Sequence, residues 1–338
     1  MHAAENAVLA KLRAMYARRL TAAQFSEILS CRTMGEVALY LRDKTPYGGI
    51  VPVTAGLGDV HREWLEERLR QASYSRFEAV GHYAFAIDAP FYRYFVLEHE
   101  AERLIRTLSL SVRGGGALPE ASAFFLRHSV VDWLRVGQAK TPQQWLSALS
   151  GTPYHALCAP FIGPDGVDMV LLDRSLERHK MRALLQLADT CYGGAQHDAL
   201  RQQLMIRIDM SDIAALYRAV LLGQRTGGAA TGGGLLTERQ LSQLSAAPDE
   251  AAFISALGGT RYAGKLDPVR DGSIERTVDR YLFRLAQHTL HRTPYPSVAL
   301  LSYATLHRTE LRDLIHSIEG VRYGASGTAA GILVGVEI

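Results

Sequence analysis

Hydrophobic positions recur along this chain at three- and four-residue steps, and they alternate in strand fashion almost nowhere. The plainest case runs from Val298 to Ile318. There Leu300, Tyr303, Leu306, Leu311, Leu314, Ile315 and Ile318 fall on one helical stripe. Comparable amphipathic runs extend from Phe91 to Leu110 and from Leu204 to Leu222. Prolines and glycines sit between the periodic segments rather than inside them. The pattern predicts an all-α protein.

Two glycine-rich breaks divide that pattern: Arg113 to Gly116, and Thr226 to Gly234. Glycine runs resist helix, so both read as linkers. They cut the chain into three helical repeats, 1–113, 114–226 and 227–338. Each piece carries an apolar residue four before a leucine, then a turn closed by a tyrosine. The first is Val37…Leu41 with Thr45-Pro46-Tyr47, and the second is Trp145…Leu149 with Thr152-Pro153-Tyr154. The third is Phe253…Leu257 with Thr260-Arg261-Tyr262, and the tyrosines lie 107 and 108 residues apart. A helix with a hydrophobic-Glu-Arg step follows each turn, around Glu67-Arg68, Glu177-Arg178 and Glu275-Arg276. One of the long amphipathic helices closes each piece. We read Tyr47, Tyr154 and Tyr262 as structural turn residues, each packing its ring into its own subdomain while its hydroxyl reaches a backbone group. A ring of three tyrosines contacting a partner is the alternative.

Composition narrows the function. With 37 basic and 34 acidic residues the net charge is +3, too balanced for a dedicated nucleic-acid binder. Cys31, Cys158 and Cys191 are far apart with no CxxC pair, which argues against a disulfide framework or a structural zinc site. No N-terminal stretch has the layout of a secretory signal. The apolar tract Ala329 to Val336 falls well short of the roughly 20 residues that cross a bilayer. These features point to a cytosolic chain that reaches a membrane only by binding something that spans it.

Candidate chemistry is thin. The stretch 226–234 could suggest a phosphate cradle, but it lacks the Gly-Lys-Ser/Thr that a P-loop needs, so a linker is expected. His288 and His291 share a helical face, yet two histidines without a further ligand are an incomplete metal site. His307 and Glu310, also three apart, read as a solvated polar pair. There is no Gly-x-Ser-x-Gly elbow and no cysteine in a nucleophile setting. No catalytic residue, cofactor or metal is assigned.

Several weak motifs in fixed order nevertheless carry a likeness. They are Leu12-Arg13-Ala14-Met15, Lys44-Thr45-Pro46-Tyr47-Gly48-Gly49, Arg207-Ile208-Asp209-Met210-Ser211-Asp212-Ile213, Gly259 to Gly264, Ser273-Ile274-Glu275-Arg276, and Tyr303 through Glu310-Leu311-Arg312-Asp313-Leu314-Ile315 to Glu319-Gly320. Together, over essentially the whole chain, they resemble the C/d family of central-stalk subunits of V/A-type (vacuolar/archaeal-type) rotary ATPases. That resemblance implies a funnel of three similar helical subdomains around a pseudo-threefold axis. It implies a non-catalytic central-stalk socket at the cytoplasmic face of the membrane. Its partners would be the central shaft of the soluble ATPase head and the proteolipid rotor ring, with torque carried between them. A generic helical-repeat scaffold for some other protein is the rival reading, although solenoid repeats are usually shorter.

Overall fold

In the computed structural model, residues 2–51, 60–87, 89–114, 123–164, 166–223 and 230–336 are described. They form seventeen α-helices and one hairpin of two-residue strands. The chain begins with α1 (His2–Ala17), α2 (Ala22–Ser30), α3 (Met34–Lys44) and a 3₁₀ turn, Gly48–Ile50, before the long α4 (Arg62–Ile87). Then come α5 (Ala89–Val112), α6 (Ala123–His128), α7 (Trp133–Gln138), α8 (Pro142–Ala148) and α9 (Pro153–Cys158). Next are the antiparallel strands β1 (Ile162–Gly163) and β2 (Gly166–Val167), and α10 (Met169–Cys191). The remainder is α11 (Gly194–Leu221), α12 (Glu238–Ser245), α13 (Glu250–Gly258), α14 (Pro268–Asp271), α15 (Ile274–Arg292), α16 (Pro296–Arg322) and α17 (Ser326–Ile332). The chain divides into two compact units, Met1–Ile87 with Asp198–Ile338, and Asp88–His197.

Most of the short helices start where a side chain takes free N-terminal amides, α9 and α17 being exceptions. Thr21 and Gln24 form a capping box on α2, and Thr237 and Gln240 form the same box on α12. Both glutamines then reach on to the carbonyl that ends the next helix: Gln24 Nε2 donates to Lys44 O at 2.9 Å, and Gln240 Nε2 to Gly259 O at 3.3 Å. The following helices are capped by Thr33 on α3, Thr141 on α8 and Asp249 on α13. Each then ends in a turn held by a threonine. Thr45, Thr152 and Thr260 donate their hydroxyls to the carbonyls of Leu41, Leu149 and Leu257 at 2.6–2.7 Å.

The apolar pairs read from the sequence lie at the centre of the packing. Val37, Leu41, Trp145, Leu149, Phe253 and Leu257 are all buried, each aliphatic one being worth about 1.5–3 kcal/mol of burial. In the first unit, one core joins α2, α3 and α4 to Leu314 and Ile318 of α16 and to Leu333. A second joins Met210, Ile213 and Tyr217 of α11 to Leu244, Phe253 and Val278 of α12, α13 and α15. In the second unit, Trp145 of α8 donates its indole N–H to Thr107 of α5 at 2.7 Å, so the largest buried ring has its one polar atom satisfied. At Gly320, a Cβ would stand 2.4 Å from the Ala329 methyl, so α16 and α17 pack closer than any side chain allows.

His307 departs from expectation. It is buried on α16, hydrogen-bonded with Ser73 of α4 at 2.7 Å and stacked against Tyr303. The three-residue spacing to Glu310 therefore marks an inward face, not a solvated one; sequence spacing places two residues on one face without saying which way that face looks. Burial, with Arg76 and Arg308 nearby, pushes the imidazole down from 6.5 to about 4. An unfolded His307 takes up a proton as pH falls through 6.5, whereas the folded one does so only near 4. Its contribution to stability is thus intact above 6.5 and lost as pH falls to 4. In urea titrations across this range, the stability difference between wild type and His307→Gln should shift against wild type by about 2–3 kcal/mol between pH 7 and pH 4. A pH-independent difference would refute the buried neutral imidazole.

Candidate functional site: three tyrosine–carboxylate anchors

Tyr47, Tyr154 and Tyr262 are each buried. Their hydroxyls do not reach backbone groups. Each donates to a carboxylate on one of the three long helices: Tyr47 to Glu310 of α16 at 3.2 Å, Tyr154 to Glu100 of α5 at 2.7 Å, and Tyr262 to Asp209 of α11 at 2.5 Å. The rings lean on a residue of the helix that follows the turn. Arg76 of α4 lies 4.8 Å over Tyr47, and His179 of α10 and Tyr281 of α15 meet Tyr154 and Tyr262 edge-on.

Each carboxylate is also tied to the backbone just ahead of the first short helix of the set. Glu310 accepts from Leu20 N at 3.1 Å, before α2. Glu100 accepts from Val130 N at 2.9 Å and from the Ser129 hydroxyl, before α7. Asp209 accepts from Leu235 N and Leu236 N at 3.0 and 3.1 Å, before α12. One buried acid thus fixes both ends of a helix–helix–turn segment against a long helix. Burial raises the carboxyls of Asp209 and Glu310 above the usual range, against the pull of these hydrogen bonds. It also raises all three tyrosines, which keeps them as donors.

A second acid follows one turn later on two of the helices. Asp212 accepts from Thr231 N and Gly232 N at 2.5 and 2.9 Å, and Asp313 accepts from Val334 N and Gly335 N at 3.1 and 2.6 Å. On α5 the corresponding position is Arg103, whose guanidinium lies 5.2 Å over the Trp133 ring.

These contacts bear on the glycine-rich stretch at 226–234. Residues 224–229 lie outside the described residues, as do 115 and 116 of the other break. The Thr231 and Gly232 amides are taken by Asp212, and those of Leu235 and Leu236 just past the stretch by Asp209. Gly234 is needed for this: a Cβ there would lie 2.0 Å from Asp209 Oδ1. Among the described residues, no three His, Cys, Asp or Glu side chains are placed to hold a metal ion. His288 and His291 are both exposed on α15, and His291 meets Tyr16 edge-on. Cys158 is buried, its thiol pushed up to about 12 by desolvation, while Cys31 is half-buried and Cys191 exposed. The described geometry assembles hydrogen bonds that hold helices together, and no nucleophile with its base.

The sequence reading gives none of the three acids this role: it expects Glu310 on a solvated face beside His307, takes Asp209 only as part of a motif, and assigns Glu100 nothing. Their spacings, 109 and 101 residues, depart from the 107 and 108 of the tyrosines. The available signal was an acid set inside an apolar stripe, as Asp209 is four before the buried Ile213 on α11.

Tyr262→Phe should cost about 1–3 kcal/mol by leaving a buried Asp209 oxygen short of a donor. Gly234→Ala should cost about 1–3 kcal/mol by forcing that carboxylate aside. Because both act on Asp209, the double variant should lose clearly less than the sum. Urea midpoints for the three variants check this, and strict additivity would separate the two sites.

The sequence matches the family model of the ATP synthase (C/AC39) subunit over residues 8–329. No curated protein sequence matches it significantly. No helix among the described residues is long and apolar enough to cross a membrane. With its three anchored helix sets and a family match over nearly its whole length, the chain belongs to the ATP synthase (C/AC39) subunit family and serves a rotary ATPase as a non-catalytic coupling part of the central stalk.

Proposed function

We propose that the chain is a socket of three similar helical modules around a pseudo-threefold axis, funnel-shaped and present once per complex. It sits at the cytoplasmic face of the membrane, receives the central shaft of the soluble head on one face and rests on the proteolipid rotor ring with the other. The observation that carries this reading is the threefold recurrence of the anchor: a long helix, a buried acid, a backbone amide before the first short helix and a turn tyrosine. Three copies of one packing unit in one chain are what a threefold body requires.

The sequence repeats 1–113, 114–226 and 227–338 are offset from these packing units. Each unit takes its long helix from one repeat and its turn from the next. The last joins α16 and α17 to α2, α3 and α4, so the two ends of the chain complete one unit between them. Polar anchors inside tightly packed helices give a body that resists twist, which suits a part carrying torque between ATP turnover and ion flow.

Deleting the protein should leave ATP hydrolysis by the detached head intact and abolish ATP-driven ion pumping by membranes, with re-expression restoring it. Pumping that survives the deletion would sink the coupling reading. Loss of hydrolysis by the head itself would move the role into catalysis.

A further inference from the structure

The three helix sets differ at one polar position, and a groove opens where they do. In the first and third sets, the residue three past the cap of the first short helix is a glutamine, Gln24 or Gln240. Its amide reaches the carbonyl just before the turn threonine, that of Lys44 or Gly259, and so ties the first short helix to the end of the second. In the second set the cap is Asp132, and the residue three past it is Arg135. The matching carbonyl is that of Gly151, one before Thr152. Arg135 does not tie the helices through it; its side chain is exposed and has no partner among the described residues. The first short helix is also shorter here, six residues in α7 against nine in α2 and eight in α12. With the tie missing, a cavity of about 510 Å³ lies open, bordered by α7 and α8, within the size range of small-ligand clefts.

Arg135 and Gln138 of α7 and Gln143, Gln144 and Ser147 of α8 give the groove its polar lining. Their hydrogen-bonding atoms are only partly used. Gln143 donates its amide N–H to Gly163 O at 3.2 Å, which leaves its Oε1 as an acceptor. Gln144 accepts from Lys140 N at 3.0 Å through Oε1, which leaves its Nε2 as a donor. Asp132, the acid nearest Arg135 in sequence, is occupied by the amides of Leu134 and Arg135 at 3.1 and 3.2 Å. No Asp or Glu falls between Trp133 and Pro164.

We infer that this groove holds the carboxyl-terminal end of a partner protein's chain. A chain end brings a carboxylate, which the Arg135 fork pairs with through two parallel bonds. Beside it come backbone N–H and C=O groups, which suit the acceptor of Gln143 and the donor of Gln144. Other anionic ligands fit less well. A phosphate's second charge would find no second cation in the lining. A nucleic-acid base would find no aromatic ring there to stack on, and a bilayer no large apolar residue. This assignment stands apart from the coupling role, because it concerns binding by the isolated chain.

The test is an amide NMR titration of the full chain with N-acetyl-tetra-alanine bearing a free carboxylate, carried to about 10 mM. Saturable shifts are expected at the amides of Gln138, Gln144 and Ser147. The same peptide with an amidated C-terminus should bind about tenfold more weakly, because the charged pair is lost. Arg135→Gln should weaken the free-acid peptide by about tenfold. Ser147→Leu, which crowds the groove from α8, should weaken it at least about threefold. Arg127→Gln removes an exposed charge of the same unit outside the groove and should bind within about twofold of wild type. Arg135 and Ser147 are both exposed, and circular dichroism checks that each variant folds, so either one can carry the test. Equal affinity for acid and amide, equal weakening by Arg127→Gln and Arg135→Gln, or no saturable shifts overturns the inference. So does inorganic phosphate that binds at these residues more tightly than the peptide, which would make the groove a small-anion site.

Discussion

A carboxylate removed from water loses several kcal/mol of hydration unless donors replace it. Glu100 and Asp209 are almost fully buried, and Glu310 largely so. Each is tolerable only where a tyrosine hydroxyl and at least one backbone amide converge on it. That requirement works in both directions. The acid demands that a turn and a helix entry arrive at fixed places, and the turn tyrosine and the entry amide gain a partner they would otherwise lack. Nonpolar packing alone would let the short helices slide along the long ones; a buried acid with two obligatory donors permits one register. The hydrophobic cores around Val37, Trp145 and Phe253 then fill in against a frame already fixed.

The all-α class and the three long helices were legible because apolar periodicity depends on nothing beyond local geometry. Phe91 to Leu110, Leu204 to Leu222 and Val298 to Ile318 all fall within α5, α11 and α16, apart from one residue past the end of α11. The turns were legible too, since Thr45, Thr152 and Thr260 act through bonds to residues three or four back. What the sequence hid is long-range. Nothing local reveals that Tyr47 answers to Glu310, or that His307 finds Ser73 on α4. The family likeness supplied the role in the stalk, yet it says nothing of which acid meets which tyrosine.

The three anchors solve one problem with different parts. Glu100 and Glu310 reach their amides with the longer side chain. Asp209 is shorter, and the backbone comes to it instead, through a glycine that leaves no room for a methyl group. The second acid on α11 and α16 is replaced on α5 by an arginine lying over a tryptophan. Differences of this kind keep the packing constraint while removing the shared residue identity by which the three sets could be matched in sequence.

The separation of the anchored residues along the chain also orders events in time. Glu100 and Tyr154 are 54 residues apart, and Asp209 and Tyr262 are 53 apart. Both pairs can close on the ribosome soon after their second member emerges, since loop-closure entropy grows only slowly over such lengths. Glu310 and Tyr47 are 263 apart. The helices that own Tyr47 must therefore wait, their apolar faces uncovered, until α16 has been made. That seam stays open longer than the other two, which leaves its apolar surface exposed to chaperones and to aggregation, and a chain cut short of α16 cannot close it.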